Sequence, residues 1–199
     1  MIARMSKSVS SFFILRGIIS AEDRKVYEYS FEILISTVLS FLALAIVAIV
    51  SNTGLITLLY LLGFVPLRLI AGGYHAKTHF RCFIMLMITY SAFLLTNVFI
   101  PTGYVMITTI LSTLTSITLV FLLAPSEDAN KPVSNEECKK FRKKSRYAII
   151  GYATLICMLA VLMADMNLAL SIALGNLTVA LSLLVNYIKI AKNNYNGRR

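Results

Sequence analysis

Six apolar segments, each long enough or nearly long enough to cross a lipid bilayer, dominate the sequence of this chain. A helix rises about 1.5 Å per residue and the hydrocarbon core is about 30 Å thick, so a span needs roughly 20 mostly apolar residues. The segments are residues 31–50, 55–71, 82–100, 104–124, 147–164 and 167–188. A water-soluble domain could not cover a chain that is 58% hydrophobic and 14% charged, so we predict an all-α, polytopic membrane protein with six transmembrane helices.

Turn-forming or polar residues separate these segments. The breaks are residues 51–54, 72–73, 101–103, 125–146 and 165–166. Glycine and proline start turns, and charged residues do not remain in the hydrocarbon core without a partner. The second segment is the shortest and is interrupted by Gly63, Pro66 and Arg68, which makes it the least regular of the six predicted spans.

The basic residues are distributed in a way that tests the span count. Of the 19 lysines and arginines, five precede the first span, three lie near the end of the second span or between it and the third, seven lie between the fourth and fifth, and four follow the sixth. The alternate connections contain none. Because cytoplasmic loops carry the excess of basic residues, six spans place every cluster on one side and predict that both termini are cytoplasmic.

This topology also accounts for most of the formal net charge of +10. Attraction to anionic lipid or to an acidic peptide is a secondary role that the same charges could serve. Nucleic-acid binding is not expected, because the basic cluster at residues 139–144 adjoins a membrane span and no recognition motif accompanies it.

The first thirty residues lack the long apolar core and cleavage site of a signal peptide. Apolar residues recur there at helical spacing, with Arg4, Lys7 and Ser10 between them. The pattern predicts an amphipathic helix in the membrane interface, either as an ordinary anchor or as a platform for a membrane-bound substrate. We therefore expect a single membrane domain over residues 1–199, with an interfacial region at 1–30, a six-helix bundle at 31–188 and a basic tail at 189–199.

The chain contains three cysteines, Cys82, Cys138 and Cys157, and two histidines, His75 and His79. The odd number, the lack of a regular spacing and the expected cytoplasmic side of the first two cysteines argue against structural disulfides. Cys157 lies in the middle of a span and Cys138 has no histidine nearby in the sequence. Cys82 follows both histidines closely, which makes it the candidate for chemistry.

In one continuous helix, His75 and Cys82 would lie on nearly the same face but about 10 Å apart along the axis, too far for proton transfer. Gly72 and Gly73 offer an alternative, since two residues that tolerate positive φ let the chain turn before a new helix begins near Thr78. His75 could then fold over the first turns of the third span. The positive end of that helix would favour the Cys82 thiolate, and the pattern indicates a cysteine nucleophile with a histidine base.

Other residues around this turn are candidates for supporting roles. Backbone N–H groups at the start of the third span could stabilise an oxyanion, with Arg68 or Arg81 as a second choice. No carboxylate lies near His75 in the sequence, although Glu32 could approach it in the fold. The basic residues at 139–146 could hold an acidic peptide tail or could only set the topology.

Several alternatives remain open on the residues alone. An interfacial histidine often only forms a hydrogen bond at the headgroup level. His75, His79 and Cys82 have spacing that a metal site could use, but no Asp or Glu lies in the segment to complete it. A transporter could line a path with Asn97, Thr108, Thr109, Ser112 and Asn176, and a non-catalytic membrane scaffold is a third class.

Two motifs resemble the accessory gene regulator B (AgrB) family of Gram-positive bacteria. The first is Arg68-x3-Gly72-Gly73-x-His75-Ala76-x-Thr78-x3-Cys82. The second is Ala124-Pro125 followed by Asn130-Lys131-Pro132. Length, six spans and basic loops match that family as well, so the resemblance covers essentially the whole chain.

The resemblance implies a membrane-embedded cysteine endopeptidase that removes the C-terminal tail of a quorum-sensing propeptide of the AgrD type. It implies that His75 and Cys82 are the catalytic pair and that the product is a thiolactone or lactone ring. We infer substrate-binding roles for Arg68, Gly72, Gly73, Arg81 and Lys131. The expected partners are the amphipathic, acidic-tailed precursor, membrane lipids and a second copy of the chain, with no cofactor and no metal ion.

Overall fold

The computed structural model describes residues 2–74, 78–126, 135–162 and 165–196. This part of the chain is helical, with no strand among the residues described. The helices are α1 (Ile2–Leu15), α2 (Arg24–Val50), α3 (Gly54–Ala71), α4 (His79–Phe99), α5 (Thr102–Leu123), α6 (Asn135–Leu162) and α7 (Met166–Asn196). The six helices from α2 to α7 are each long and apolar enough to cross a membrane, which confirms the all-α polytopic fold.

Three helices, α2, α6 and α7, are at least seven residues longer than the apolar segments that they contain. α2 starts at Arg24, where an ion pair of 2.8 Å to Glu28 one turn later stabilises the added turn. α6 starts at Asn135, so the basic cluster before the fifth span is helical; Glu136 and Glu137 in its first turn complement the helix dipole. The polarity that marked residues 135–146 as a loop is instead that of a solvated helix.

The described chain divides into two compact units, one containing residues 2–52 and 78–88 and the other containing residues 53–74, 89–126, 135–162 and 165–196. In the first unit, α1 packs along α2. Ser6 and Ser10 are buried in this contact, the Ser6 hydroxyl donates to Glu32 Oε1 at 3.4 Å, and the Phe13 and Phe31 rings stack. The face of α1 that contains Ser6, Ser10 and Phe13 therefore faces α2.

The apolar face of α1 is exposed. The side chains of Met5, Phe12 and Leu15 are 45%, 53% and 86% exposed. The helix that the sequence pattern predicted is observed, and its place in the membrane interface stays a prediction that this uncovered face favours.

In the second unit, α7 is the central helix. In its most apolar stretch 56% of the residues are buried, against 28% or fewer in any other span. α3, α5 and α6 each pack against it. The core contains Leu67 and Ala71 of α3 with Val179 and Leu183 of α7.

Two glycines bring α3 and α7 into backbone contact. A Cβ atom on Gly63 would lie 2.6 Å from the carbonyl oxygen of Ile172, and one on Gly175 would overlap the carbonyl oxygen of Tyr60. Nearby, the Tyr60 hydroxyl donates to Thr178 Oγ1 at 3.2 Å. Small residues at such a crossing let membrane helices approach closely, so α3 is held firmly against α7.

Candidate active site

The chain turns sharply at the end of α3, as Gly72 and Gly73 predicted. α3 ends at Ala71, and the two glycines adopt φ values of +76° and +133°. An L residue with a side chain rarely adopts such angles, so this path requires glycine. The turn is followed by Tyr74, the residue before His75.

A second reason for glycine is the space around the turn. A Cβ atom on Gly72 would lie 2.7 Å from the carbonyl oxygen of Ser126, and one on Gly73 would collide with the Arg68 guanidinium and the Ser182 hydroxyl. Conformation and packing therefore both exclude larger residues.

The Arg68 side chain forms hydrogen bonds to the backbone of the turn. Its Nη1 donates to the carbonyl oxygen of Gly72 at 3.0 Å and to Ser182 Oγ at 2.5 Å, and its Nη2 donates to the carbonyl oxygen of Tyr74. A planar guanidinium can serve several acceptors at once in a fixed geometry, which a lysine cannot do. These bonds make Arg68 a residue that fixes the backbone of the turn.

α7 supplies the opposite wall of the turn. The carbonyl oxygen of Ser182 accepts a hydrogen bond from the Tyr74 N–H at 3.1 Å, and Lys189 Nζ lies 4.8 Å from the centre of the Tyr74 ring. Asn186 Nδ2 donates to Ser126 Oγ. Ser182, Asn186 and Lys189 are spaced by four and three residues, so one face of α7 meets the turn. We missed this face in the sequence analysis, although polar residues at helical spacing in an apolar span were its signal.

The two segments that carried the resemblance meet here. The Ser126 N–H donates to the carbonyl oxygen of Ala71 at 3.0 Å, next to the cis peptide bond between Ala124 and Pro125. Gly72 lies against the Ser126 backbone. Residues far apart in the sequence thus form one structure around the end of α3.

α4 begins where the sequence predicted, directly after Thr78. The Thr78 Oγ1 accepts from the Arg81 N–H at 3.3 Å, and its carbonyl oxygen accepts from the Cys82 N–H at 3.1 Å. These are the bonds of an N-cap residue, which satisfies N–H groups that the first helical turn leaves free. Cys82 is consequently in the first turns of α4, near the positive end of the helix dipole.

Cys82 and Arg81 are exposed, as is Cys157, while Cys138 is partly buried. All three cysteines are free thiols. His75 and Lys131 lie outside the described residues, as do the Asn-Lys-Pro residues of the second motif. The described residues therefore locate the nucleophile candidate and the turn that leads to the histidine, but not the histidine itself.

Two of the polar residues considered for a transport path bond within their own helices. Thr109 Oγ1 donates to the carbonyl oxygen of Val105 at 2.8 Å, and Asn97 Nδ2 donates to that of Phe93 at 3.2 Å. Asn176 Oδ1 is buried and has no partner among the described residues. This local bonding of Thr109 and Asn97 gives a transport path no added support.

Comparison with known proteins identifies the family. No curated protein and no solved structure matches the chain. The model of the accessory gene regulator B family matches residues 6–184, a range that contains both motifs, the turn and five complete spans. This family has a role in autoinducing-peptide processing and implies an AgrD-like propeptide as partner. The chain is a multi-pass membrane protein that belongs to the accessory gene regulator B (AgrB) family.

Proposed function

We propose that this protein is a cysteine endopeptidase that removes the C-terminal tail of an AgrD-like propeptide and passes the remaining peptide on to ring closure. The observation that carries the proposal is the placement of Cys82. It is an exposed thiol in the first turns of α4, seven residues after His75, in a chain that belongs to the AgrB family.

In the first step, the Cys82 sulfur attacks the peptide carbonyl at the junction between the signal peptide and the tail. A C–S bond forms as the C–N bond breaks. His75 accepts the thiol proton and transfers it to the leaving amine, so the tail departs with a neutral N-terminus. The product of this step is a thioester between the peptide and Cys82.

In the second step, an internal cysteine of the precursor attacks the same carbonyl. Its C–S bond forms as the bond to Cys82 breaks, and His75 carries the proton from the attacking thiol to the departing one. The product is a thiolactone; an internal serine would give a lactone. Exchange of one thioester for another is nearly balanced in free energy, whereas formation of the first thioester from an amide is uphill, so removal of a product must drive turnover.

The described geometry supports separate roles for the residues around the turn. Backbone N–H groups at the start of α4 are donors that an oxyanion near Cys82 could use. Arg68 already donates to two carbonyl oxygens of the turn and to Ser182. We therefore assign Arg68, with Gly72 and Gly73, to positioning the segment that carries His75. Arg81 and Lys131 retain their proposed role in substrate binding.

The proposal also includes an orientation. The distribution of basic residues supports a cytoplasmic side for both termini and for the start of α4, the side on which the precursor is made. At the bilayer edge water is limited, which favours ring closure over hydrolysis of the thioester.

The test is reconstitution of the purified chain in liposomes with a matching precursor. Tail release and intact mass are measured for the native chain and for Cys82→Ala, His75→Ala, Cys138→Ala and Cys157→Ala. We expect no tail release and no covalent adduct in Cys82→Ala, and loss of tail release in His75→Ala. Cys138→Ala and Cys157→Ala should retain both tail release and the adduct. Undiminished cleavage in both Cys82→Ala and His75→Ala would show that the pair is not catalytic.

A second measurement separates peptidase from transporter or scaffold. At neutral pH, a nucleophilic Cys82 should react with an alkylating reagent faster than Cys138 or Cys157, and His75→Ala should slow it. Equal rates at Cys82 before and after His75→Ala would contradict activation by that histidine.

A further inference from the structure

An open groove of about 380 Å³ lies in the second unit between the end of α5 and the first half of α6. Basic side chains at spacings of three and four residues line it along α6, and apolar or aromatic side chains follow them on that helix and face them from α5. The basic residues are Lys139, Arg142, Lys143 and Arg146. The others are Phe121, Tyr147 and Ile150. No acidic side chain lines the groove among the described residues, so four positive charges face a single cleft.

Arg146 joins the two walls of the groove, and the sequence explains why. The carbonyl oxygen of Phe121 would normally accept from the N–H four residues later, but that residue is Pro125, which has none. Arg146 Nη2 donates to this oxygen at 3.1 Å instead, and its guanidinium lies 5.1 Å from the centre of the Phe121 ring. This contact therefore fixes α6 against the end of α5 where both line the groove.

The other three cations of the groove are exposed. Lys143 Nζ lies 5.8 Å from the centre of the Tyr147 ring, and Lys139 and Arg142 are exposed on the polar extension of α6. Tyr147 and Ile150 follow them along the helix and belong to the apolar stretch that crosses the bilayer. Along α6, the groove residues are therefore cationic before the membrane span and apolar within it.

We propose that this groove binds an anionic phospholipid, with the headgroup phosphate at Lys139, Arg142 and Lys143 and an acyl chain along Tyr147 and Ile150. A phospholipid presents a negative charge followed by a hydrocarbon chain, the same order as the groove. An acidic peptide tail would match the cations but would leave the apolar end uncovered. The proposal does not depend on the peptidase activity.

The charge pattern of α6 offers a matched control. Lys140 and Lys144 belong to the same basic cluster but do not line the groove. The variants Arg142→Gln/Lys143→Gln and Lys140→Gln/Lys144→Gln each remove two charges from the same exposed helical segment. A role in topology or in general surface attraction would treat the two pairs alike, whereas a site in the groove distinguishes them.

The measurement is native mass spectrometry of the full chain in detergent, titrated with phosphatidylglycerol or phosphatidylcholine. We expect phosphatidylglycerol to bind more tightly, and the groove pair to weaken it about tenfold or more while the control pair changes it less than about twofold. Thermal unfolding of each variant checks that the fold is retained.

Two competitors identify the ligand. Glycerol phosphate, which has the phosphate but no acyl chain, should not displace the lipid at equal concentration. A soluble acidic peptide should not displace it either. Displacement by glycerol phosphate would show that the groove binds simple anions, and displacement by the peptide would show that it binds acidic peptides. Equal weakening by both variant pairs would show that only the general surface charge attracts the lipid. Each of these results would overturn the proposal.

Discussion

The end of α3 and the start of α4 are separated by only a few residues in the sequence, yet they are held in different ways. The turn after α3 receives hydrogen bonds from Arg68 and from Ser126 and gives one to Ser182, a residue on the last span. The described bonds at the start of α4 run from the Arg81 and Cys82 N–H groups to Thr78, the N-cap of that helix. The segment that leads to the proposed base is therefore fixed by the tertiary fold, and the segment that carries the proposed nucleophile is fixed by its own helix.

Gly73→Ala is the substitution with the largest expected effect, and it tests whether the tertiary contacts of the turn position His75. The new Cβ would collide with the Arg68 guanidinium and the Ser182 hydroxyl at a φ of +133°, so the turn must move. A shift of about 1 Å at a catalytic group can cost about 100-fold, and we expect tail release to fall by at least about that factor. Alkylation of Cys82 should slow to the rate of His75→Ala.

Gly103→Ala is the control, because a Cβ there meets nothing within 4 Å. It should release the tail at the native rate. If Gly73→Ala were equally active, the turn would not be what positions His75.

Ser182→Ala should have an intermediate effect. It removes one acceptor from Arg68 at 2.5 Å but leaves the bond from the Tyr74 N–H to the Ser182 carbonyl oxygen. A hydrogen bond to a charged group contributes about 1.5–3 kcal/mol. Because Arg68 keeps its two acceptors in the turn, we expect the lower end of that range, which is a fall in kcat of about tenfold. Because the serine positions the turn and is not proposed to touch substrate, KM should remain unchanged.

Ser116→Ala is matched to it, since this buried hydroxyl donates to a carbonyl oxygen of its own helix at 2.6 Å. It should change kcat less than about twofold. A rise in KM with constant kcat in Ser182→Ala would place that residue in substrate binding instead.

Thr78→Ala should have the smallest effect, and it acts on the start of α4 and not on the turn after α3. Loss of an N-cap costs about 1 kcal/mol, so amide hydrogen exchange in the first turn of α4 should rise about fivefold. Cleavage should fall by no more than about that factor, and Thr78→Ser should restore both. Thr96→Ala, in the last turn of α4, should leave exchange at Cys82 unchanged; unchanged exchange in Thr78→Ala would show that Thr78 does not hold this end.

The fold was predictable because hydrophobic length and charge distribution are strong signals along the sequence. The six spans and the breaks at Gly72 and Gly73 agree with the helices observed. The start of α6 was not predicted, since a charged segment such as 135–146 is equally typical of a loop. Its helical state depends on side-chain pairs and on continuity with the span that follows.

The site was predictable only where its residues are neighbours in the sequence. Thr78 and Cys82 could be placed on a helix start from spacing alone. Arg68 was predicted to bind substrate, whereas its described donors are directed at the turn and at Ser182. That partner is 114 residues away, and a serine in an apolar span usually bonds its own helix, so local pattern could not reveal it.

The dependence of the turn on α7 also has a consequence for biosynthesis. Gly73 leaves the ribosome 109 residues before Ser182, an interval of about 5–20 s at ordinary rates of translation. Until the last span has been made and inserted, the Tyr74 N–H and the Arg68 guanidinium lack their partners on it. In a nascent or truncated chain the segment that leads to the proposed base therefore lacks these bonds, and we expect the proposed cleavage to require the completed C-terminal span.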